Sequence, residues 1–247
     1  MRILRHTTKM VCMALLSLLS VSCGIIDMEI DEGGQIAYDM HLKHDTVYVM
    51  VGDTFVLDPV FVPDSVGNRE LLFLSEDESV ASLVNDTVIA MAEGETSVVG
   101  LSVHNGLSDT CMVYVMAPWV LNANDYSDDM VVYATATIDG KPFDPERMMI
   151  AAYSGSAFRG RGELINVGGK DILRFRIYSY YEWDTSMPEL EAEYIRFKYY
   201  DRENLTLKTF PQYMVFDGET HGSPSEPVVL ENGRMESPLL TSPSGGM

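Results

Sequence analysis

The sequence predicts an all-β protein made of two consecutive antiparallel β-sandwich domains. Short runs rich in Val, Ile, Thr, Phe and Tyr recur from Thr46 to Phe216. Gly, Pro, Asn and Asp punctuate them every few residues, and no apolar repeat of helical period competes. After Pro118 the composition shifts and Tyr and Arg become frequent, which marks a boundary between two units.

The N-terminus comes first. Arg2, Arg5 and Lys9 precede an apolar run from about Val11 to Val21, with no acid before Asp27. That run is about half the roughly 20 residues a spanning helix needs, so residues 1–22 read as a signal peptide. The following "SVSC" resembles the lipobox of bacterial lipoproteins, where the signal is cut before the cysteine and the sulfur is acylated. Ser20 departs from the usual Leu, with Leu19 one place early. The resemblance implies lipidation at Cys23 and a membrane partner through that lipid anchor. Asp27, Glu29, Asp31 and Glu32 make residues 23–35 similar to the acidic tether that sends some gram-negative lipoproteins to the outer leaflet of the outer membrane; a solvated linker is the plainer alternative. The expected location is therefore the outer membrane, at the cell surface or alternatively facing the periplasm.

Charge narrows the partners. The 247-residue chain carries a formal charge of -20, and loss of Arg2, Arg5 and Lys9 with the signal takes it to -23. Such a surface repels phosphate backbones and anionic head groups, which argues against nucleic acid as a partner. Cys12 leaves with the signal and Cys23 takes lipid, so Cys111 alone remains and no intrachain disulfide is possible. In the apolar "DTCMVYVM", Cys111 is expected to be a small core residue rather than a nucleophile.

The first domain is expected over residues 36–117. Its runs are "TVYVMV", "TFVLDPVFV", "ELLFL", "SVASLV", "TVIAM", "TSVVGLSV" and "TCMVYVM". Together "VYVMVGDTFVL", "LSEDESVASLVNDTVIAMAEGETSVVGLSV" and "DTCMVYV" resemble the bacterial Ig-like domain, group two, with Gly94 at its "aeGe" turn. The resemblance covers about 70 residues. It implies a spacer or adhesive module and no catalytic residues. Acids outnumber bases thirteen to two between Gly33 and Pro118, which reads as a solvated surface.

The second domain is expected over residues 118–230. Its runs are "MVVYATATI", "MMIAAYS", "SAFRGRGELI", "DILRFRIYSYY", "AEYIRFKYY" and "LKTFPQYMVF", with tight hairpins at Asp139–Gly140 and Gly168–Gly169. "IAAYSGSAFRGRGEL" and "IRFKYYDREN" make it similar to a module recurring in surface and secreted proteins of gram-negative bacteria. Phe158 stands where that module commonly has Cys, and the module brings no activity with it. Residues 231–247, rich in Ser, Pro and Gly, are expected to be a disordered tail.

Alternation supplies the candidate binding residues. Leu173, Phe175 and Ile177 face one way, and Arg174, Arg176, Tyr178 and Tyr180 the other. Ile195, Phe197 and Tyr199 alternate with Tyr194, Arg196, Lys198 and Tyr200, while Arg159 and Arg161 share a face. If these strands pair, six cations and several tyrosines line one outer face, with Trp183 at its rim, suited to a glycan or a protein ligand. The alternative is that Glu163, Glu191, Glu193 and Asp201 pair with the cations and leave a solvated face.

Chemistry is harder to find. His41 and His44 fall on opposite faces of a strand, so no metal is expected there. Asp125, Asp128 and Asp129 lack the order of a calcium loop and read as an interdomain turn. No nucleophile elbow, zinc-protease, phosphate-loop or dinucleotide motif occurs. Paired carboxylates are plentiful in so acidic a chain, and motif alone does not separate a glycosidase pair from them. The expectation is a non-enzymatic surface lipoprotein without cofactors, adhesive or ligand-binding; the alternative is a structural or accessory subunit of an outer-membrane complex.

Overall fold

The computed structural model describes residues 35–180 and 193–239. The signal peptide, Cys23, the tether up to residue 34, Glu191, Trp183 and residues 240–247 lie outside the described residues.

The first unit contains β1 (Asp39–His41), β2 (Thr46–Met50), β3 (Thr54–Val56), β4 (Val60–Val62), β5 (Leu71–Ser75), β6 (Ala81–Val84), β7 (Thr87–Ala90), β8 (Gly94–Ser102) and β9 (Ser108–Met116). Strands β2-β9-β8-β5 form one sheet and β3-β7-β6 the other. Alternation fixes the inner faces: Val47 and Val49, Val113 and Val115, Val88 and Ala90 are buried in one cluster with Phe55, Leu57 and Cys111. Lettering β3 as B and β5 to β9 as C to G gives B-E-D facing C-F-G, which is immunoglobulin strand order.

Two features depart from the sequence reading. The run 54–62 breaks in two, because Asp58 has a left-handed φ of 46° and Pro59 has no N–H for a ladder. The second piece, β4, leaves the sheet and pairs with the short β1. The sandwich is also not antiparallel throughout, since β2 runs parallel to β9.

The second unit contains β10 (Asp128–Ile138), β11 (Lys141–Pro142), β12 (Met148–Ser154), β13 (Ala157–Val167), β14 (Lys170–Ser179), β15 (Tyr194–Asp201), β16 (Thr206–Val215), β17 (Thr220–His221), β18 (Val228–Glu231) and β19 (Ser237–Pro238). Both predicted hairpins form, with positive φ at Asp139, Gly140, Gly168 and Gly169. Strand β13 belongs to both layers: Ala157–Arg161 pair with β12, and Gly162–Val167 pair with β14. One layer is therefore β13-β14-β10, with β17 and β18 added in parallel to β10; the facing layer is β13-β12-β15-β16, with β19 parallel to β16. Met130, Val132, Phe175 and Ile177 meet Ile150, Ile195, Phe197 and Phe210 between them, and the Phe175 and Phe197 rings contact edge-on at 5.1 Å.

On the side away from β13, a side chain joins the layers. Gln212, buried, donates from Nε2 to the Glu231 carbonyl (2.8 Å) and accepts the Glu231 N–H at Oε1 (3.2 Å). This reproduces a ladder rung with a side-chain amide and satisfies both ends of the buried Gln212 amide.

The tail is corrected in part. Up to residue 239 the chain packs back on the sandwich: β19 pairs with β16, Leu239 is buried in the core, and Asn232 Nδ2 donates to Asp139 Oδ1 (2.9 Å) and Tyr199 Oη (3.0 Å). Serine and proline content gives this segment no strand signal of its own, because it borrows its partners from β16.

A third cluster joins the units. Trp119 packs between Tyr153, Phe158 and Tyr200 at ring distances of 6.2, 6.3 and 6.4 Å, with Tyr48, Met50 and Met116 of the first unit alongside. Phe158 thus stacks on Trp119 where a cysteine would leave the ring uncovered. The Tyr48 N–H donates to the Leu205 carbonyl across the junction at 2.8 Å.

The crossover gives a prediction. A Cβ at Gly160 would lie inside contact distance of the Arg176 carbonyl oxygen, a backbone atom that cannot rotate away. Gly160→Ala is expected to destabilise by about 3 kcal/mol, measured by chemical denaturation; a change within about 0.5 kcal/mol would show that β13 does not cross so closely.

Candidate ligand-binding surfaces

The alternation in β14 and β15 holds, but the strands do not pair. Two strands, β13 and β12, intervene, and the inner faces of β14 and β15 meet across the core. Their outward residues therefore lie on opposite sides of the sandwich, and the single cationic face expected from the sequence does not exist. The candidates divide into three places.

The first is a tyrosine platform. Tyr126, in the chain just after the turn at Ala123–Asp125, sits 5.7 Å from the Tyr178 ring and 5.0 Å from the Tyr180 ring, both tilted. The Arg159 guanidinium lies 5.8 Å over Tyr126 and 5.9 Å over Tyr180, and Arg176 lies 5.4 Å over Tyr178. Arg159 is held 2.8 Å from Glu193 Oε1 without a directed hydrogen bond, and its buried Nε has no partner. Arg176 makes a two-pronged contact to Asp129 at 2.8 and 3.0 Å, which lowers the Asp129 carboxyl. Tyr180 is 59% exposed, so ring surface remains open to a ligand.

The second place is the outer face of β15 and β16. The Tyr194 and Tyr213 rings contact edge-on at 5.7 Å, Arg196 lies 5.5 Å over Tyr213, and Arg196 pairs with Glu236. Lys198 is half-buried with its ammonium 4.2 Å from the Tyr153 centroid, and that burial lowers its pKa. The third is the cleft beside Trp119, which receives Arg161. Arg174 stands apart, paired with Glu163 at 2.6 Å.

The ion pairs expected as the alternative are present in part. Glu163 and Glu193 pair with Arg174 and Arg159, while Asp201 pairs with Arg147, a residue the alternation pattern does not flag. Tyr126, Tyr153 and Tyr213 are not flagged by alternation in β14 and β15: each is brought in by strand pairing or, for Tyr126 within residues 122–129, by a turn. The acids of that stretch serve local structure, since Asn122 caps the turn and contacts Asp125 while Asp129 binds Arg176. His41 lies in β1 and is exposed, and among the described residues no three His, Cys, Asp or Glu side chains gather as a metal site. Cys111 is buried, and burial, with Asp109 and Asp45 nearby, pushes its thiol up to about 12, as suits a core residue.

Asp201 organises the turn that follows β15. It receives Arg147 at 3.1 and 2.7 Å, the N–H groups of Glu203 and Asn204 at 3.0 and 3.1 Å, and Asn204 Nδ2 at 2.8 Å. Burial alone would raise its carboxyl, but the bonds from Arg147 and Asn204 outweigh that and hold it at about 2.

No family model matches the chain, and no curated protein does. Among solved structures, the chain is similar to the surface layer protein SbsC, domains 4–9, at 11% identity, with 80% of this chain and 32% of that one covered and a TM-score of 0.27. It is similar to Drosophila N-cadherin EC1-3 at 9% identity, covering 69% and 65%, TM-score 0.26. The Bacteroides ovatus protein SGBP-B, solved with a mixed-linkage heptasaccharide, matches at 10% identity over 70% and 45%, TM-score 0.21. Scores this low support no transfer of function. The strand order defines the class by itself: an all-β protein of successive sandwiches, the first with immunoglobulin order.

Because the folded pKa of Asp201 is depressed, its stabilisation is complete above the ordinary value near 3.8 and is lost as pH falls toward 2. The contribution is about 2 kcal/mol. Asp201→Asn is expected to lower stability at pH 7 by about that amount and to flatten the acid limb between pH 4 and 2. Parallel stability–pH curves for the two proteins would refute the assignment.

Proposed function

We propose that the chain is a non-catalytic lipoprotein, anchored in the outer membrane through Cys23, that holds a ligand-binding surface away from the membrane on two sandwiches. The observation that carries this reading is the tyrosine platform. Three rings within 5.7 Å of a neighbour, flanked by Arg159 and Arg176, offer the planar faces on which sugars stack. The acidic remainder of the surface, on a chain whose formal charge is -20 and -23 once Arg2, Arg5 and Lys9 leave with the signal, disfavours polyanions on the protein at large and favours neutral glycans at the platform.

The test is retention of the full-length protein on immobilised neutral glucans, xylans and mannans. Tyr126→Ala with Tyr180→Ala is expected to leave the thermal transition within a few degrees of the parent and to weaken retention about tenfold, the loss of two ring contacts at about 0.5–1.5 kcal/mol each. Retention on none of the three, or retention unchanged in the double variant, overturns the platform.

One observation favours a second reading, an accessory subunit of an outer-membrane complex. Leu72 and Leu74 are 50% and 45% exposed on β5, which among the described residues is an edge strand paired with β8. Protease shaving of intact cells separates the readings by location. Loss of the second unit without lysis is expected for the surface-exposed binder, whereas protection together with crosslinking to a membrane protein would replace it with the subunit reading.

A further inference from the structure

Nine arginines fall within the described residues, and seven of them contact a carboxylate: Arg69, Arg147, Arg159, Arg174, Arg176, Arg196 and Arg234. The two that do not, Arg161 and Arg202, line the same cleft between the two sandwiches, which has a volume of about 590 Å³. In a chain with 37 acids and 17 lysines and arginines, two guanidinium groups in one concavity that make no ion pair with a described carboxylate are conspicuous.

Their positions are fixed from outside the cleft. Arg161 comes from the β13 crossover, opposite Ala151 of β12. Arg202 follows Asp201, whose five hydrogen bonds set the turn, and the Arg202 N–H donates to the Arg147 carbonyl at 3.0 Å. The Arg202 guanidinium donates to the thioether of Met149 at 2.8 Å, and no described carboxylate lies within ion-pair distance of it. Asp53 also lines the cleft, but it accepts the Met50 N–H and makes no ion pair with either arginine. Trp119 and Tyr200 form the aromatic part of the wall.

We propose that this cleft binds a carboxylated sugar, with the carboxylate seated between Arg161 and Arg202. Arginine's planar fork matches a carboxylate two-pronged, and both guanidinium groups, being exposed, are accessible from the cleft. The volume falls within the ~300–1,000 Å³ typical of small-ligand sites, and junctions between domains are where such sites concentrate. Thr54 and Asp53 supply polar groups for sugar hydroxyls, and the aromatic wall supplies apolar contact. This site is separate from the tyrosine platform and stands whether or not that platform binds a glycan.

The experiment uses the full-length protein carrying Trp183→Phe, which leaves Trp119 as the one tryptophan of a chain that has two. Digalacturonate, lactose and triglutamate are titrated against its fluorescence. Digalacturonate is expected to give a saturable change that weakens with salt, and lactose none. Arg161→Gln and Arg202→Gln are each expected to weaken digalacturonate binding at least tenfold, Arg161→Lys to weaken it less, and Arg234→Gln to match the parent. Thermal unfolding accompanies each variant; should Arg202→Gln loosen the fold, Arg161→Gln and Arg161→Lys decide. The proposal is overturned by no saturable response to digalacturonate, by equal affinity in Arg161→Gln, or by lactose binding as well. Triglutamate binding as tightly as digalacturonate would overturn the sugar and make the cleft a site for acidic peptides.

Discussion

The arrangement of the second sandwich depends on one backbone contact: β13 passing over β14 where Gly160 faces the Arg176 carbonyl. Because no Cβ intervenes, the strand can leave one layer and finish in the other. That passage puts β14 and β15 on opposite layers, buries Phe175 against Phe197, and turns their polar faces outward in different directions. It also delivers Arg159 to the tyrosines and Arg161 to the cleft from positions two residues apart. Gly162, seated against the Phe175 ring, extends the same requirement by one more step. The repeated "RGRG" is thus a steric necessity with two charged residues interleaved.

Much of the fold was legible in the sequence for a local reason. Strand periodicity and turn chemistry act over a few residues, so Val47, Val49, Val113 and Val115 declare an inner face without reference to anything distant, and Asp139–Gly140 declares a hairpin. The short strands β1, β11, β17, β18 and β19 were not legible, since two to four residues cannot show a period and their pairing is decided by strands far along the chain. The tail shows the same limit: Gln212 and Tyr213 recruit residues 231–239, and nothing in "ENGRMESP" announces it.

The candidate site was legible only as an inventory. Alternation correctly divides Arg174 and Arg176 from Phe175, but it says nothing about which strands are neighbours, and the expectation of one cationic face rested on that missing fact. Charge pairing is equally nonlocal. Asp129 meets Arg176 across the β10–β14 ladder, and Asp201 meets Arg147 across 54 positions of sequence. What distinguishes Arg161 and Arg202 is the lack of such a partner among the described residues, a property that exists only once the other seven described arginines have found theirs.

The parallel pairing of β2 with β9 has a mechanical consequence. The start of β2 and the end of β9, where the chain leaves for Trp119, lie at opposite ends of their parallel ladder, and upstream of β2 the chain is already held by the pairing of β1 with β4. Tension applied at the start of β2 and at the end of β9 would therefore slide the two strands along each other and strain their hydrogen bonds together, whereas an antiparallel pair pulled at one end would open rung by rung. The pair β2–β9 is thus loaded in shear, the arrangement that shares a pull among all of its rungs at once.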